Sequence, residues 1–260
     1  MNSPDRHWTA DNEEMLEEAA PTHAVEVASR RVALEVLAPA LRRPGAAYLD
    51  AGCAAGWLLE DAAKMFPNAA VYGADAFLPA LNAAKARPAG RRVVQFDLLQ
   101  APFAPASFDA ISCLNVLEHI ENDAGAIREI FRLLKPGGSA FFMVPAGPSL
   151  YNYYDEVVHH VRRYGKREFR DKIRSVGFAI RAIRYMGVLL YPAFYAVKKY
   201  GRWSMGRKTM EEKRRRLLDD VARTKNSWLM SASFNAERLL GPALPNCCGI
   251  RLYGHAIREG

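Results

Sequence analysis

Tyr48-Leu49-Asp50-Ala51-Gly52-Cys53-Ala54-Ala55-Gly56 reads as a buried strand that breaks into a glycine turn, with a helix opening at Trp57 and running to Met65. Glycine in such a turn accepts backbone angles, and a close approach of the backbone to a bound group, that a side chain forbids. About 20 residues on is the usual distance for an acid that reads a ribose. There Val71-Tyr72-Gly73-Ala74-Asp75 has the pattern of the next strand, with Asp75 at its carboxyl end. Together the two features point to a nucleotide-like ligand.

Outward from that turn, strands and helices alternate. Apolar runs and turn residues predict strands at 46–51, 70–75, 92–97, 108–115 and 138–145, with helices near 57–66, 77–86 and 122–134 between them. Lys135-Pro136-Gly137-Gly138 is expected to stop the last of these helices. Ahead of the first strand, His23 to Leu41 has helical apolar spacing and ends before Pro44-Gly45. Such alternation argues an α/β fold, a parallel sheet with helices on both faces. After Pro145 the pattern changes to a helix at Lys166–Val176, a strand at 178–185, a long helical segment rich in aromatic and basic residues at 186–245, and a final strand at Ile250–Ile257. The last two strands are expected to pair antiparallel at one end of the sheet. The expected organisation is a mobile acidic arm (1–22), a core (23–185), a helical insertion (186–248) and a final core strand (249–260).

With 260 residues, half of them apolar, the chain suits one large domain with an elaboration. Cys53, Cys113, Cys247 and Cys248 have no zinc-type spacing and read as reduced thiols. The first 20 residues are polar and acidic, unlike a secretory leader, and the apolar run Met186–Val197 is too short to span a bilayer and contains Pro192. A cytoplasmic location is therefore expected. The net charge of +8 is unevenly spread: residues 161–216 hold 18 Lys and Arg against 4 Asp and Glu. A block of this kind meets nucleic acid, anionic lipid head groups or an acidic substrate, or forms solvated helix faces.

Five segments in order, DAGCAAG at 50–56, Asp75, Phe96-Asp97, SFDAISCLNVLEHIEN at 107–122 and LLKPGG at 133–138, resemble the class I S-adenosylmethionine (SAM)-dependent methyltransferases, close to the type 11/12 small-molecule branch. The resemblance is strong over 46–145, extends to about 185 through HHVRRYGKREFRDKIRSVGF, and is loose over 186–260. It implies a Rossmann-like seven-stranded sheet, six strands parallel and the last antiparallel, with a helical insertion between the last two. It implies SAM as methyl donor and S-adenosylhomocysteine as product. By position, Asp50 orders the turn and reaches the SAM amino group, and Gly52, Cys53, Ala54 and Gly56 form the cradle. Asp75 accepts from the ribose hydroxyls, Ala76 and Phe77 lie beside the adenine, and Asp97 takes the adenine amino group with Leu98 flanking. Asn115 and Val116 face the methionine part. Ala54 stands where the family usually has glycine.

Methyl transfer to a hydroxyl or amine needs a group that takes a proton. His160, within His159-His160-Val161-Arg162-Arg163-Tyr164, is the first choice of base, with Tyr154 and Tyr164 as positioning groups. The same HxRRY stretch also reads as a structural clasp, its arginines pairing with Asp155 or Glu156. His119 of the Glu118-His119 pair is a second candidate. In quinone O-methyltransferases that resemble this chain an E-x-x-E-H pattern holds a divalent metal; Asn115 replaces its first Glu, and no metal is expected. Arg30 or Arg31 is a candidate for the SAM carboxylate. The acceptor is expected to be a small molecule, with an anionic, quinone-like or lipid-linked one as the alternative that the basic segment allows. Residues 186–248 read either as a lid over the site or as a peripheral contact with an anionic membrane, at the inner membrane face. Nucleic acid is disfavoured, because the fourth strand ends in Asn115-Val116-Leu117-Glu118 without the Pro-Pro-aromatic turn of base-amine methylases. A non-catalytic SAM-binding protein is the remaining alternative.

Overall fold

Strand β1 (Ala47–Ala51) pairs in parallel with β2 (Ala70–Asp75) on one side and with β4 (Phe108–Leu114) on the other. The computed structural model describes residues 21–260, so most of the acidic arm expected over 1–22 lies outside the described residues. β3 (Val93–Gln95), β5 (Leu134–Pro145), β6 (Phe178–Met186) and β7 (Arg251–Arg258) complete one sheet in the order β3-β2-β1-β4-β5-β7-β6. β7 runs antiparallel to both β5 and β6, which leaves six strands parallel and one reversed.

Alternate residues of the central strands feed two cores, one on each face of the sheet. Tyr48, Phe141 and Met143 pack with Leu34, Leu37 and Leu41 of α1 (Ala24–Leu41), Leu58 and Leu59 of α2 (Trp57–Met65) and Leu81 of α3 (Leu78–Lys85). Leu49, Ile111 and Phe142 pack on the other face with Ile127 and Ile130 of α4 (Asp123–Leu133). Phe169 and Ile173 of α6 (Lys166–Ser175) join them; α5 (Tyr153–Val157) is a short helix between β5 and α6. Fully buried apolar runs such as Phe141-Phe142-Met143-Val144 are what a sheet covered on both sides requires.

Two local expectations are corrected. Lys135-Pro136-Gly137-Gly138 does not separate helix from strand. α4 ends at Leu133 and β5 begins at Leu134, which pairs with Phe108, while the next register pair is Ala110 with Ser139. The four residues form a bulge, eased by Gly137 at φ +76°. β3 is shorter than expected, because Phe96 and Asp97 leave the ladder after Phe96 N donates to Asp75 O at 3.2 Å.

The insertion after β6 is three helices: α7 (Tyr191–Met205), α8 (Met210–Thr224) and α9 (Trp228–Leu240). α9 docks on α1. Phe234 enters the same core as Leu34, Arg238 pairs with Glu35 at 3.1 Å, and the Glu237 carboxylate accepts from Gly187 N and Val188 N at 2.9 Å each. α7 and α8 dock on α5. Leu217 is buried with Tyr153, Val157 and Val158, Lys213 pairs with Glu156 at 2.6 Å, and Tyr153 OH donates to Asp220 at 2.5 Å.

Asp123, at the start of α4, ties the sheet to the segment before α6. It is 2% exposed and accepts from Tyr164 OH at 2.8 Å, Lys172 Nζ at 2.8 Å and Arg162 Nη1 at 3.0 Å. Burial alone would raise its carboxyl; the bonds from Lys172 and Tyr164 and the Arg162 charge outweigh it and hold the pKa below its ordinary value. A depressed native pKa gives stability that is complete above the unfolded value, about 4, and lost as the pH falls through the native one. Asp123→Asn is therefore expected to lower the unfolding free energy at pH 7 by about 1–3 kcal/mol. The gap from the parent should close as the pH drops below about 4 in urea titrations. A gap that stayed constant with pH would assign the loss to packing and not to charge.

Candidate active site

The turn after β1 is built by backbone bonds to the neighbouring strand. Gly52 N and Cys53 N both donate to Ala74 O, at 2.7 and 2.9 Å, and Gly56 N donates to Cys53 O at 2.9 Å. Gly52 (φ +86°) and Gly56 (φ +79°) both take the left-handed conformation. At Gly52 the need is also steric, since a Cβ there would lie 2.1 Å from Val116 Cγ2. Val116, from the end of β4, thus rests directly on the turn. Cys53 is buried, its sulfur 3.0 Å from where a Cβ on Gly73 would lie.

Ala54 also sits at positive φ, +44°, and is exposed. Its N donates to Asp75 Oδ2 at 2.9 Å, so the turn keeps a glycine-like path although the residue carries a methyl group. The conformation costs about 1–2 kcal/mol, and the bonds from Gly52, Cys53 and Ala54 to β2 hold it.

Three carboxylates stand at the carboxyl ends of β1 and β2 and just beyond β3. Asp50 is 3% exposed and accepts from Ser112 Oγ at 2.6 Å, which in turn bonds Tyr48 OH at 2.6 Å. Burial raises its pKa to about 7, with the Ser112 bond opposing and the Asp75 charge adding to the rise. Asp75 is half-buried and also accepts from Phe77 N at 3.0 Å. Asp97 is half-buried and accepts from Leu99 N at 2.8 Å. Ala76 and Phe77 follow Asp75 directly, half-buried at the start of α3. Leu98 is 7% exposed and belongs to the core under the sheet. Asn115, at φ +54°, turns the chain out of β4, with its N donating to Met143 O at 2.8 Å. Acceptor-rich carboxylates around a left-handed glycine turn fit the donor groups of a nucleoside bearing an amino acid.

The predicted base packs against the turn that follows β4. Leu117–His119 form a single 3₁₀ turn after Val116, and His160 packs on it, its ring 4.8 Å from that of His119. His160 Nδ1 is 2.8 Å from Asp155 Oδ1, and His160 Nε2 is 3.8 Å from Glu118 Oε1. Burial lowers the His160 pKa, and the Asp155 bond pulls the other way. His119 is driven down to about 3 by burial and by the neighbouring His160. Both rings are therefore neutral at pH 7. Glu118 is fully buried, neither of its side-chain oxygens makes a hydrogen bond, and burial raises it to about 8. The ring of Tyr154 lies 6.4 Å from that of His160, and burial lifts its hydroxyl to about 12.

Glu118, His119 and His160 offer metal-type ligand atoms within 4.8 Å of one another. Within this group His160 is anchored through Nδ1 by Asp155, while both Glu118 oxygens are buried without a hydrogen-bond partner.

Other expectations land elsewhere. Tyr164 is fully buried with its hydroxyl on Asp123 and Leu117 O, so it braces the backbone and positions no acceptor. Arg30 bonds Asp61 at 2.7 Å and Arg31 bonds Asn235 at 2.9 Å. The clasp reading of HxRRY holds for Arg163, whose Nε donates to Asp155 at 2.7 Å. The roles of Asp155 as partner of His160, and of Lys198 beside it, are visible only in three dimensions.

A methyltransferase-domain family model matches residues 49–142. A ubiquinone biosynthesis O-methyltransferase from Xanthomonas campestris pv. campestris is 30% identical over 179 residues, 65% of this chain and 70% of that protein. The chain belongs to the class I SAM-dependent methyltransferases. A protein of the same name from Paracidovorax citrulli is 36% identical over 104 residues, 38% of this chain and 43% of that one. Among solved structures, Haemonchus contortus phosphoethanolamine N-methyltransferase 2 in complex with SAM superimposes with a TM-score of 0.65 at 17% identity, covering 98% of this chain. This chain spans 59% of that structure's length. A geranyl diphosphate methyltransferase in complex with GPP and sinefungin gives 0.60 at 15% identity, covering 90% and 79% of the two chains. These structures share the methyltransferase fold.

Gly52→Ala is expected to destabilise the methyltransferase by about 2–4 kcal/mol, from the left-handed backbone and the collision with Val116. In a Val116→Ala background the cost should fall to the backbone part, about 1–2 kcal/mol. Urea unfolding of the four proteins of this cycle measures both. Equal costs in the two backgrounds would mean that Val116 is not what Gly52 accommodates.

Proposed function

We propose that this protein moves the methyl group of SAM to an oxygen or nitrogen of a small-molecule acceptor, with His160 as general base. The carrying observation is the Asp155–His160 hydrogen bond, 2.8 Å long and packed on the same turn after β4 that touches Gly52. When bound, SAM supplies an electrophilic methyl group whose in-line displacement needs alignment and exclusion of water. Asp75 would hold the ribose hydroxyls, Asp97 the adenine amino group and Asp50 the methionine amino group, beside the Gly52–Gly56 turn. Asp155 accepts from Nδ1–H and fixes the tautomer, leaving Nε2 to take the proton of the acceptor's hydroxyl or amine. The buried carboxylate then stabilises the imidazolium that forms. His119 packs against the ring without competing for the proton, and Tyr154 walls the same space.

Methyl-labelled SAM and a panel of hydroxylated aromatic and amine acceptors test this. Asp75→Ala should weaken SAM binding by about 1.5–3 kcal/mol for each charged hydrogen bond lost. His160→Ala should lower turnover roughly 10²–10⁴-fold while SAM binding persists. Full turnover by His160→Ala would remove it as base. SAM binding with no turnover by the parent on any acceptor would favour a non-catalytic SAM-binding protein.

A second reading concerns the acceptor's location. Trp203 (80% exposed), Trp228 (78%) and Leu239 (83%) project from the insertion, with Lys199, Arg202, Arg207 and Lys208 in the same helical segment. No helix among the described residues is long and apolar enough to cross a membrane. Exposed tryptophans mixed with cations suit the surface of an anionic bilayer, here the inner membrane face, and a quinone-like or lipid-linked acceptor held there. The names of the relatives lend this modest support. Co-sedimentation with phosphatidylglycerol vesicles, weakened by salt and by Trp203→Ser, is the expected result. Equal behaviour with neutral and anionic vesicles would leave the insertion as a lid alone.

A further inference from the structure

The buried side of α7 reaches Asp155. Lys198 has an 8% exposed side chain; its Nζ donates to Asn152 Oδ1 at 3.0 Å, lies 3.6 Å from Asp155 Oδ2 and sits 4.5 Å above the Tyr154 ring. Gly201, one turn further on, lets α7 come this close: a Cβ there would lie 2.7 Å from Tyr153 Cε1 and 3.2 Å from Asn152 Nδ2. Asn152 is at once the N-cap of α5, through Tyr154 N at 3.1 Å, and the acceptor for Lys198. Asp155 Oδ2 also takes Asn152 N at 3.0 Å, while Oδ1 takes His160 and Arg163.

We propose that Lys198 is a positioning residue for methyl transfer: the insertion supplies it to hold Asp155, and through Asp155 the orientation and basicity of His160. The proposal rests on the reading of His160 as base. Two cations on one buried carboxylate have separate tasks. Arg163 shares Oδ1 with the imidazole and is fixed to Ala146 O at 2.8 Å within the core, whereas Lys198 is on the opposite oxygen and comes from another part of the chain. Without Lys198, Asp155 would keep one cation, and Asn152 would lose the group that bridges the cap of α5 to its third residue.

The charge environment sets the direction of the effect. His160 is faced by Asp155 and Tyr154 from α5, by Glu118 and His119 from the turn after β4, by Arg163 from its own segment and by Lys198 from α7. Burial lowers Lys198 to about 7, so it is protonated through the acid range in which His160 titrates, below 6.5. A cation there disfavours the imidazolium. Its removal should make His160 easier to protonate.

The test is the imidazole titration of His160 by NMR on ¹³C-histidine protein, with the resonance assigned by His160→Gln. Lys198→Met should raise the midpoint by about 1 unit, and Lys198→Arg should bring it back towards the parent. On the best acceptor of the panel, Lys198→Met should lower kcat roughly 10- to 100-fold and move the acid limb of its pH profile upward, with SAM affinity unchanged. A Lys198→Met titration that superimposes on the parent would overturn the proposal. So would equal loss of SAM binding and turnover in both Lys198 variants, which would make Lys198 a packing residue. If His160→Gln keeps full turnover, the base assignment fails, while the NMR midpoint still decides whether Lys198 governs His160.

Discussion

Asp155 is a carboxylate with no exposed surface, and the region beyond β5 is arranged to keep it ionised. An isolated buried carboxylate would take up a proton. Burial does push this one up, but the His160 bond and the Lys198 and Arg163 charges override it and hold the group well below the usual carboxylate range. The partners come from the α5 cap, from the HxRRY segment and from α7, so one ionised group fixes three pieces of chain in register. Such a pairing adds little net stability compared with apolar packing, yet breaking it is costly. Its value lies in geometry: His160 can hold one tautomer only while Asp155 remains charged and still.

The sheet supplies the second constraint. The strand order reverses between β1 and β4, and the crevice beyond their carboxyl ends is where such folds place their ligands. Gly52 and Val116 meet at that point. The contact joins the turn after β1 to the turn after β4 in one packed unit, so on the proposed reading the distance from donor to base is set by β1 and β4 and by the short turn Leu117–His119. Methyl transfer is sensitive to that distance, since its rate depends on alignment more than on any group the protein contributes chemically.

What the sequence shows well follows from locality. A strand–glycine–helix turn, acids at strand ends and continuous apolar runs bounded by turn residues are each contained in a few residues, and the strands and the Asp50, Asp75 and Asp97 positions can be read from them. In Lys135-Pro136-Gly137-Gly138, Pro and Gly mark a break without saying whether a partner strand bridges it; Leu134 pairing with Phe108 decides that. Tyr164 and Asp123 are 41 residues apart, and Lys198 and Asn152 46 apart, so no local pattern announces either bond. In the sequence, Lys198 is one more charge in a basic segment. Its neighbour Lys199 lies over the Tyr195 ring and fits that description. Only the close approach allowed by Gly201 separates the two.

The insertion thus has two faces with different physics. Its outer side carries tryptophans and cations in water; its inner side carries Lys198, Lys213 and Leu217, all buried against α5. A lid of solvated charge would be free to vary in position. The insertion cannot move off α5 without uncovering Lys198 and leaving Asp155 short of a cation, which on the proposed reading connects whatever touches the outer face to the state of His160. Acceptor specificity in this fold is carried by variable segments added to a constant core. On the proposed reading the added segment also holds a residue that positions the base, so exchanging it for another would alter His160 as well as the acceptor it meets.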